Sequence, residues 1–163
     1  ILTAQVIQSM LKETLNIDIN IETLPFTQLL EKAEHAQSLF WRSGWQSDYP
    51  DPESFLTILS GSNVPANLTD RSFLNPMRFK NAKYDSLFAL ANREVDDEKR
   101  FELYRQVDQV QIDEGAIMPI FYDEIYRLVQ NNVKDFHVNA MEYRDVSRVY
   151  FLPSANKDKG SKE

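Results

Sequence analysis

Ser38-Leu39-Phe40-Trp41-Arg42-Ser43-Gly44-Trp45-Gln46-Ser47-Asp48-Tyr49-Pro50-Asp51-Pro52 is the stretch on which the fold turns. Residues 39–45 are apolar and aromatic enough to predict a strand. The prolines at 50 and 52 end it, because each fixes φ and removes a main-chain donor. A helical pattern follows over residues 53–59. Asp48 is thereby predicted just past a strand end, between the indole of Trp45 and the phenol of Tyr49, in a stiffened turn. A carboxylate held still at the mouth of a sheet is the arrangement of a ligand clamp. Aspartate ahead of a helix is also a common cap. Both readings of Asp48 stand at this level.

Outward from that stretch, Val6, Ile7, Met10, Leu11 and Leu15 recur at helical spacing, predicting a helix from a Thr3 cap to about residue 14. Ile17, Ile19 and Ile21 alternate with polar residues as in a half-buried strand, and Phe26, Leu29, Leu30 and Ala33 mark a second helix. Helix, strand, helix, strand predicts two parallel strands joined by a helical crossover. Residues 61–79 have little periodicity and read as an irregular, mostly surface segment. Asn81 is placed to cap a helix carrying Tyr84, Leu87, Phe88 and Ala91. Asp96 or Asp97 caps a longer one with Phe101, Tyr104, Val107 and Val110 on one face, and Gly115 stands where a left-handed terminus belongs. Residues 116–122 and 125–130 read as strands. The polar tail, residues 152–163, is expected to be disordered.

The 163 residues suit one domain with a real core. A formal net charge of −7 leaves no basic stripe for phosphates, so no nucleic-acid partner is expected. There is no cysteine, hence no disulfide framework or thiol nucleophile. No apolar run is long enough for a membrane span. The chain opens at Ile1-Leu2-Thr3, already in a helix pattern, and reads as part of something longer whose targeting segment lies elsewhere. Asp48, Asp51 and Glu53 could suggest a metal site or catalytic carboxylates, but the two prolines already explain a turn there. His35 and His137 stand alone. No metal, cofactor or catalytic residue is expected.

Four motifs, in order, carry a resemblance. They are Arg42-x-Gly44-Trp45-x-x-Asp48-Tyr49-x-Asp51-Pro52 with Phe55-Leu56; Phe79-Lys80-Asn81-x-x-Tyr84-Asp85-x-Leu87; Arg100-x-x-Leu103-Tyr104; and Asp113-x-x-Ala116-Ile117-x-Pro119-Ile120. With them the chain resembles the oligopeptide/dipeptide-type (family 5) extracytoplasmic solute-binding proteins of ABC importers. The resemblance covers residues 1–151, and residues 64–77 have no family counterpart.

It implies an α/β fold of the periplasmic-binding-protein type II, a lobe with a mixed sheet and flanking helices. Residues 1–151 would form the carboxyl-terminal lobe of a two-lobed protein, the last strand, about 145–151, returning toward the first lobe. The implied function is capture of an extended peptide between lobes and delivery to an ABC permease with its ATPase subunits. The protein would be a monomer, periplasmic or lipid-anchored at the outer face of the cytoplasmic membrane and peripheral to it. In the family, the aspartate at the position of Asp48 pairs with the ligand's α-ammonium. The strand carrying Gly44 and Gln46 would run beside the peptide backbone, with Trp45 and Tyr49 as walls and Arg42 reaching a ligand carboxylate. Trp41 and Trp45, on one strand face, are equally open to a core role. A ligand sensor or chaperone of the same fold, or a hydrolase using acidic residues, are the alternative functions. The 163 residues alone are expected to bind no peptide.

Overall fold

The computed structural model describes residues 2–153, so the expected disorder of the tail beyond 153 lies outside the described residues. Five helices dominate: α1 (Leu2–Leu15), α2 (Phe26–Glu34), the single turn α3 (Glu53–Leu56), α4 (Ala82–Ala91) and α5 (Asp97–Asp113). Short 3-10 turns continue α3 through Leu59 and cover Gly61–Asn63. Val133–Lys134 (β1) and Tyr150–Phe151 (β2) pair antiparallel, Val133 opposite Phe151.

The core is a helical hairpin with α3 laid across it. Asn81 begins α4 as expected: its side-chain oxygen accepts from the N–H groups of Lys83 and Tyr84. Asp96 does the same for α5 through Lys99, satisfying donors that a helix start leaves without partners. Gly115 ends α5 at φ 63°, a conformation that costs glycine nothing. Apolar side chains at helical spacing then meet: Tyr84, Phe88 and Ala91 of α4 against Tyr104, Val107 and Val110 of α5, with Leu56 and Leu59 closing the end. Tyr84 is fully buried, and its hydroxyl donates to the Leu56 carbonyl at 2.6 Å. Phe79 meets the Tyr84 ring edge-on at 5.5 Å.

The predicted sheet differs from what is found. Among the described residues the two-residue β1–β2 pair is the whole sheet. Residues 16–25, 39–46 and 116–130 are neither helix nor strand and form no ladder with one another, and the predicted parallel crossover pairing is absent among the described residues. Alternation tells which face of a segment is apolar; it does not supply the partner edge, which is non-local. Segment 16–25 is held instead by side chains, Gln8 Nε2 donating to the Ile19 carbonyl at 2.7 Å. α1 forms as its periodicity predicts but buries none of its residues among those described.

Residues 61–79 are better anchored than their composition suggests. Asn75 is fully buried; its amide donates to the carbonyls of Ser60 and Phe79 and its oxygen accepts from the Phe79 N–H. Arg78 donates to the carbonyls of Glu34, Leu68 and Asp70, sewing the segment to α2. Gly61 makes room for Asp85: its N–H donates to the Asp85 carboxylate, and a Cβ there would force that carboxylate to shift.

Burial pushes the Tyr84 hydroxyl well above its ordinary value of 10.0, with the Asp108 and Asp85 charges adding to the rise. The unfolded chain then loses this proton at a lower pH than the folded one. Stability is therefore full below about pH 10 and falls as pH rises beyond it. Alkaline unfolding followed by circular dichroism should show that fall, and Tyr84→Phe should flatten it. At neutral pH the same substitution should cost about 1–3 kcal/mol by leaving the Leu56 carbonyl without its donor.

Candidate functional site

Three hydrogen bonds hold the Asp48 turn. The Asp48 N–H donates to Ser54 Oγ at 3.0 Å, and Ser54 is buried at the start of α3. Asp51 docks the far end: one carboxylate oxygen accepts the Glu53 N–H at 3.0 Å and the other takes Arg100 Nη1 at 2.6 Å. Asp51, not Asp48, thus serves the helix start. Burial acts to raise the Asp51 pKa, but the Glu53 N–H and the Arg100 guanidinium outweigh it and hold the carboxyl below its ordinary range.

Asp48 is left over. Its carboxylate is exposed and takes no hydrogen-bond or ion-pair partner among the described residues. It lines an open groove of about 590 Å³ with Gln46, Ile125, Glu142, Tyr143 and Arg144. The groove's far wall is a made turn. The Asn139 side chain accepts from the Met141 and Tyr143 N–H groups and donates to the Tyr143 carbonyl. Glu142 sits at φ 57°, a left-handed conformation that a residue with a Cβ adopts only under constraint. Arg127, largely buried and not among the groove's lining residues, pairs with the Glu142 carboxylate. Gln46 Nε2 donates across the groove to the Met141 carbonyl at 3.2 Å.

The six residues singled out from sequence are distributed as follows. Asp48 and Gln46 meet on the groove. Gly44 is next to it in sequence, exposed, with open space where a Cβ would be. Trp45 is half-buried, its ring 6.4 Å from Phe73, and its indole Nε1 is shielded from solvent without an acceptor among the described residues. Arg42 stacks over the Phe121 ring at 5.6 Å, outside the groove lining. Tyr49 turns to the other side, its hydroxyl bonded to Glu53, and faces Arg100 and Tyr104. Sequence reasoning missed the wall formed by Ile125 and residues 141–144. It lies 95 residues from Gln46, and no periodicity links segments so far apart. Among the described residues no group of three or more metal-ligating side chains comes together.

Residues 2–67 match the bacterial extracellular solute-binding proteins, family 5 Middle. The dipeptide-binding protein DppE of Bacillus subtilis (strain 168) is 28% identical over 143 residues, 88% of this chain and 25% of that protein. The periplasmic oligopeptide-binding protein OppA of Salmonella typhimurium is 30% identical over 125 residues, 76% of this chain and 21% of that one. In three dimensions the chain is similar to the unliganded open form of the periplasmic murein tripeptide binding protein MppA. That likeness has a TM-score of 0.70 at 22% identity, over 94% of this chain and 28% of MppA. It shows the fold, that of a stretch of a periplasmic binding protein. These matches bear out the family 5 resemblance read from the four motifs. The chain spans about a quarter of the length of the curated relatives it matches.

The division of labour between the two aspartates is testable. Asp51→Asn should lower the melting temperature, and because the Asp51 carboxyl is held below its ordinary range, the stability it contributes should fade as pH drops through that range. Asp48→Asn should leave the melting temperature unchanged. Differential scanning calorimetry of the two variants at neutral and acidic pH checks both.

Proposed function

We propose that this chain belongs to the substrate-binding component of an ABC-type peptide importer, which captures a peptide and delivers it to a membrane permease with its ATPase subunits. The observation that carries the reading is Asp48: held through its own backbone, relieved of any capping duty by Asp51, and lining an open groove with an exposed carboxylate that has no partner among the described residues. A peptide's free α-ammonium offers three donors to such an acceptor. One charge-assisted bond of this kind contributes about 1.5–3 kcal/mol, which is roughly ten- to a hundredfold in affinity. The segment with Gly44, which is neither helix nor strand, can lie beside a ligand backbone, a mode that reads main-chain groups rather than side chains and so tolerates many sequences. Residues 1–151 would form the second lobe, and closure of both lobes on the peptide would be a ligand-driven population shift. The names of the relatives are those of binding proteins, several of them periplasmic; we take this protein to be an extracytoplasmic binder without catalytic activity, acting as a monomer.

The decisive experiment is calorimetry on the complete polypeptide that contains this chain. Peptides with a free amino terminus should bind, and their N-acetylated forms should bind about tenfold or more weaker. Asp48→Ala should bring the free form down to the same level without changing the melting temperature. Equal affinity for acetylated and free peptides would sink the ammonium-clamp reading. A drop in stability with affinity retained would return Asp48 to a structural role.

A further inference from the structure

Among the described residues Asp48 makes one hydrogen bond, and its carboxylate has no part in it: the Asp48 N–H donates to Ser54 Oγ at 3.0 Å. The direction of the carboxylate therefore depends on how firmly that N–H is held. Ser54 is 1% exposed and lies off the groove lining, so it is not a group that a ligand in the groove would meet. Its own place is set by several contacts. The Ser54 N–H donates to the Asp51 carbonyl at 3.2 Å, the Glu53 N–H beside it donates to the Asp51 carboxylate, and Arg100 ties that carboxylate to α5. Two residues further on, Leu56 is buried in the core.

A side chain has this task because the main chain of the turn has few donors left. Pro50 and Pro52 have no N–H at all. The Asp51 N–H turns back to the Tyr49 carbonyl at 2.8 Å, and those of Glu53 and Ser54 are both used on Asp51. The Asp48–Ser54 bond is thus the one that joins the backbone at the entry of the turn to α3.

We propose that Ser54 is a positioning residue for ligand binding: by accepting the Asp48 N–H it pre-sets the backbone from which the Asp48 carboxylate meets a cationic group of the ligand. The proposal rests on the peptide-binding reading of Asp48 and adds to it a residue that the ligand never touches. A carboxylate on a loose turn has to be ordered when the ligand arrives, and the cost of that ordering is subtracted from affinity; one held beforehand escapes it. A hydroxyl suits the part. It accepts the N–H without placing a second negative charge beneath the Asp48 carboxylate, as an aspartate at 54 would.

The test titrates the complete polypeptide that contains this chain with oligoalanines, each with a free and with an acetylated amino terminus. The unaltered protein should bind the free form about tenfold or more tighter. Ser54→Ala should weaken the free form about fivefold and leave the acetylated form where it was, narrowing the ratio between them. Ser54→Thr, which restores a hydroxyl, should recover part of that ratio. With Asp48→Ala already in place, Ser54→Ala should change neither affinity. A serine that served only the fold would weaken both forms alike, and that result overturns the proposal, as does a ratio that Ser54→Ala leaves intact. Should Ser54→Ala fail to fold, Ser54→Cys, similar in shape and a weak acceptor, takes its place in the same comparison with the same expectation. Failure of the Asp48 reading itself looks different, since the unaltered protein then binds both forms equally or binds no peptide at all.

Discussion

Arg100 reaches from the first turn of α5 to Asp51, 49 residues upstream, and that contact fixes the segment bearing Asp48 to the helical core. α3 is one turn of helix with no side-chain cap of its own at Pro52, and Asp51, which accepts the Glu53 N–H, ties its start to Arg100. The Arg100 guanidinium also lies over the rings of Phe101 and Tyr104, which confines its approach to Asp51. From this contact the rest follows in order. α3 packs Leu56 into the hairpin, Ser54 is buried, and Ser54 Oγ takes the Asp48 N–H. The exposed carboxylate is thus held by groups that never touch it.

Three of the four sequence motifs acquire physical meaning in this arrangement. Arg100 of one serves Asp51 of another. Tyr84 bonds the Leu56 carbonyl, Asp85 receives the Gly61 N–H, and Tyr104 donates to Asn92. Most motif residues build the platform, and a minority face the groove. A residue pattern shared with a family therefore locates a scaffold more directly than it locates a ligand.

What was legible in the sequence was what is local. Caps at Asn81 and Asp96, the left-handed Gly115 and the apolar faces of α4 and α5 depend on neighbours within a turn or two, and all are found. Segment type at residues 16–25, 39–46 and 116–130 was read from alternation, yet pairing depends on an edge elsewhere, and the predicted ladder is not formed among the described residues. The irregular segment 61–79 hid its anchors because a buried Asn75 looks in sequence like any loop asparagine. On the site, Asp48 and Gln46 were within reach because they belong to one short run. The wall with Arg144 was not, being joined to that run by one side-chain bond across 95 residues.

That long-range bond has a consequence for the order in which the molecule assembles. The α4–α5 hairpin closes a connection of a few residues, whereas joining Gln46 to Met141 closes most of the chain, and the entropy of closure rises with the length enclosed. Contacts close in sequence also form sooner. Helical structure should accordingly precede the groove during refolding, with far-ultraviolet circular dichroism recovering before the fluorescence of Trp45, which sits beside Gln46. The groove is then the last feature the chain forms, and a population arrested early would carry a native-like helical signature and no groove.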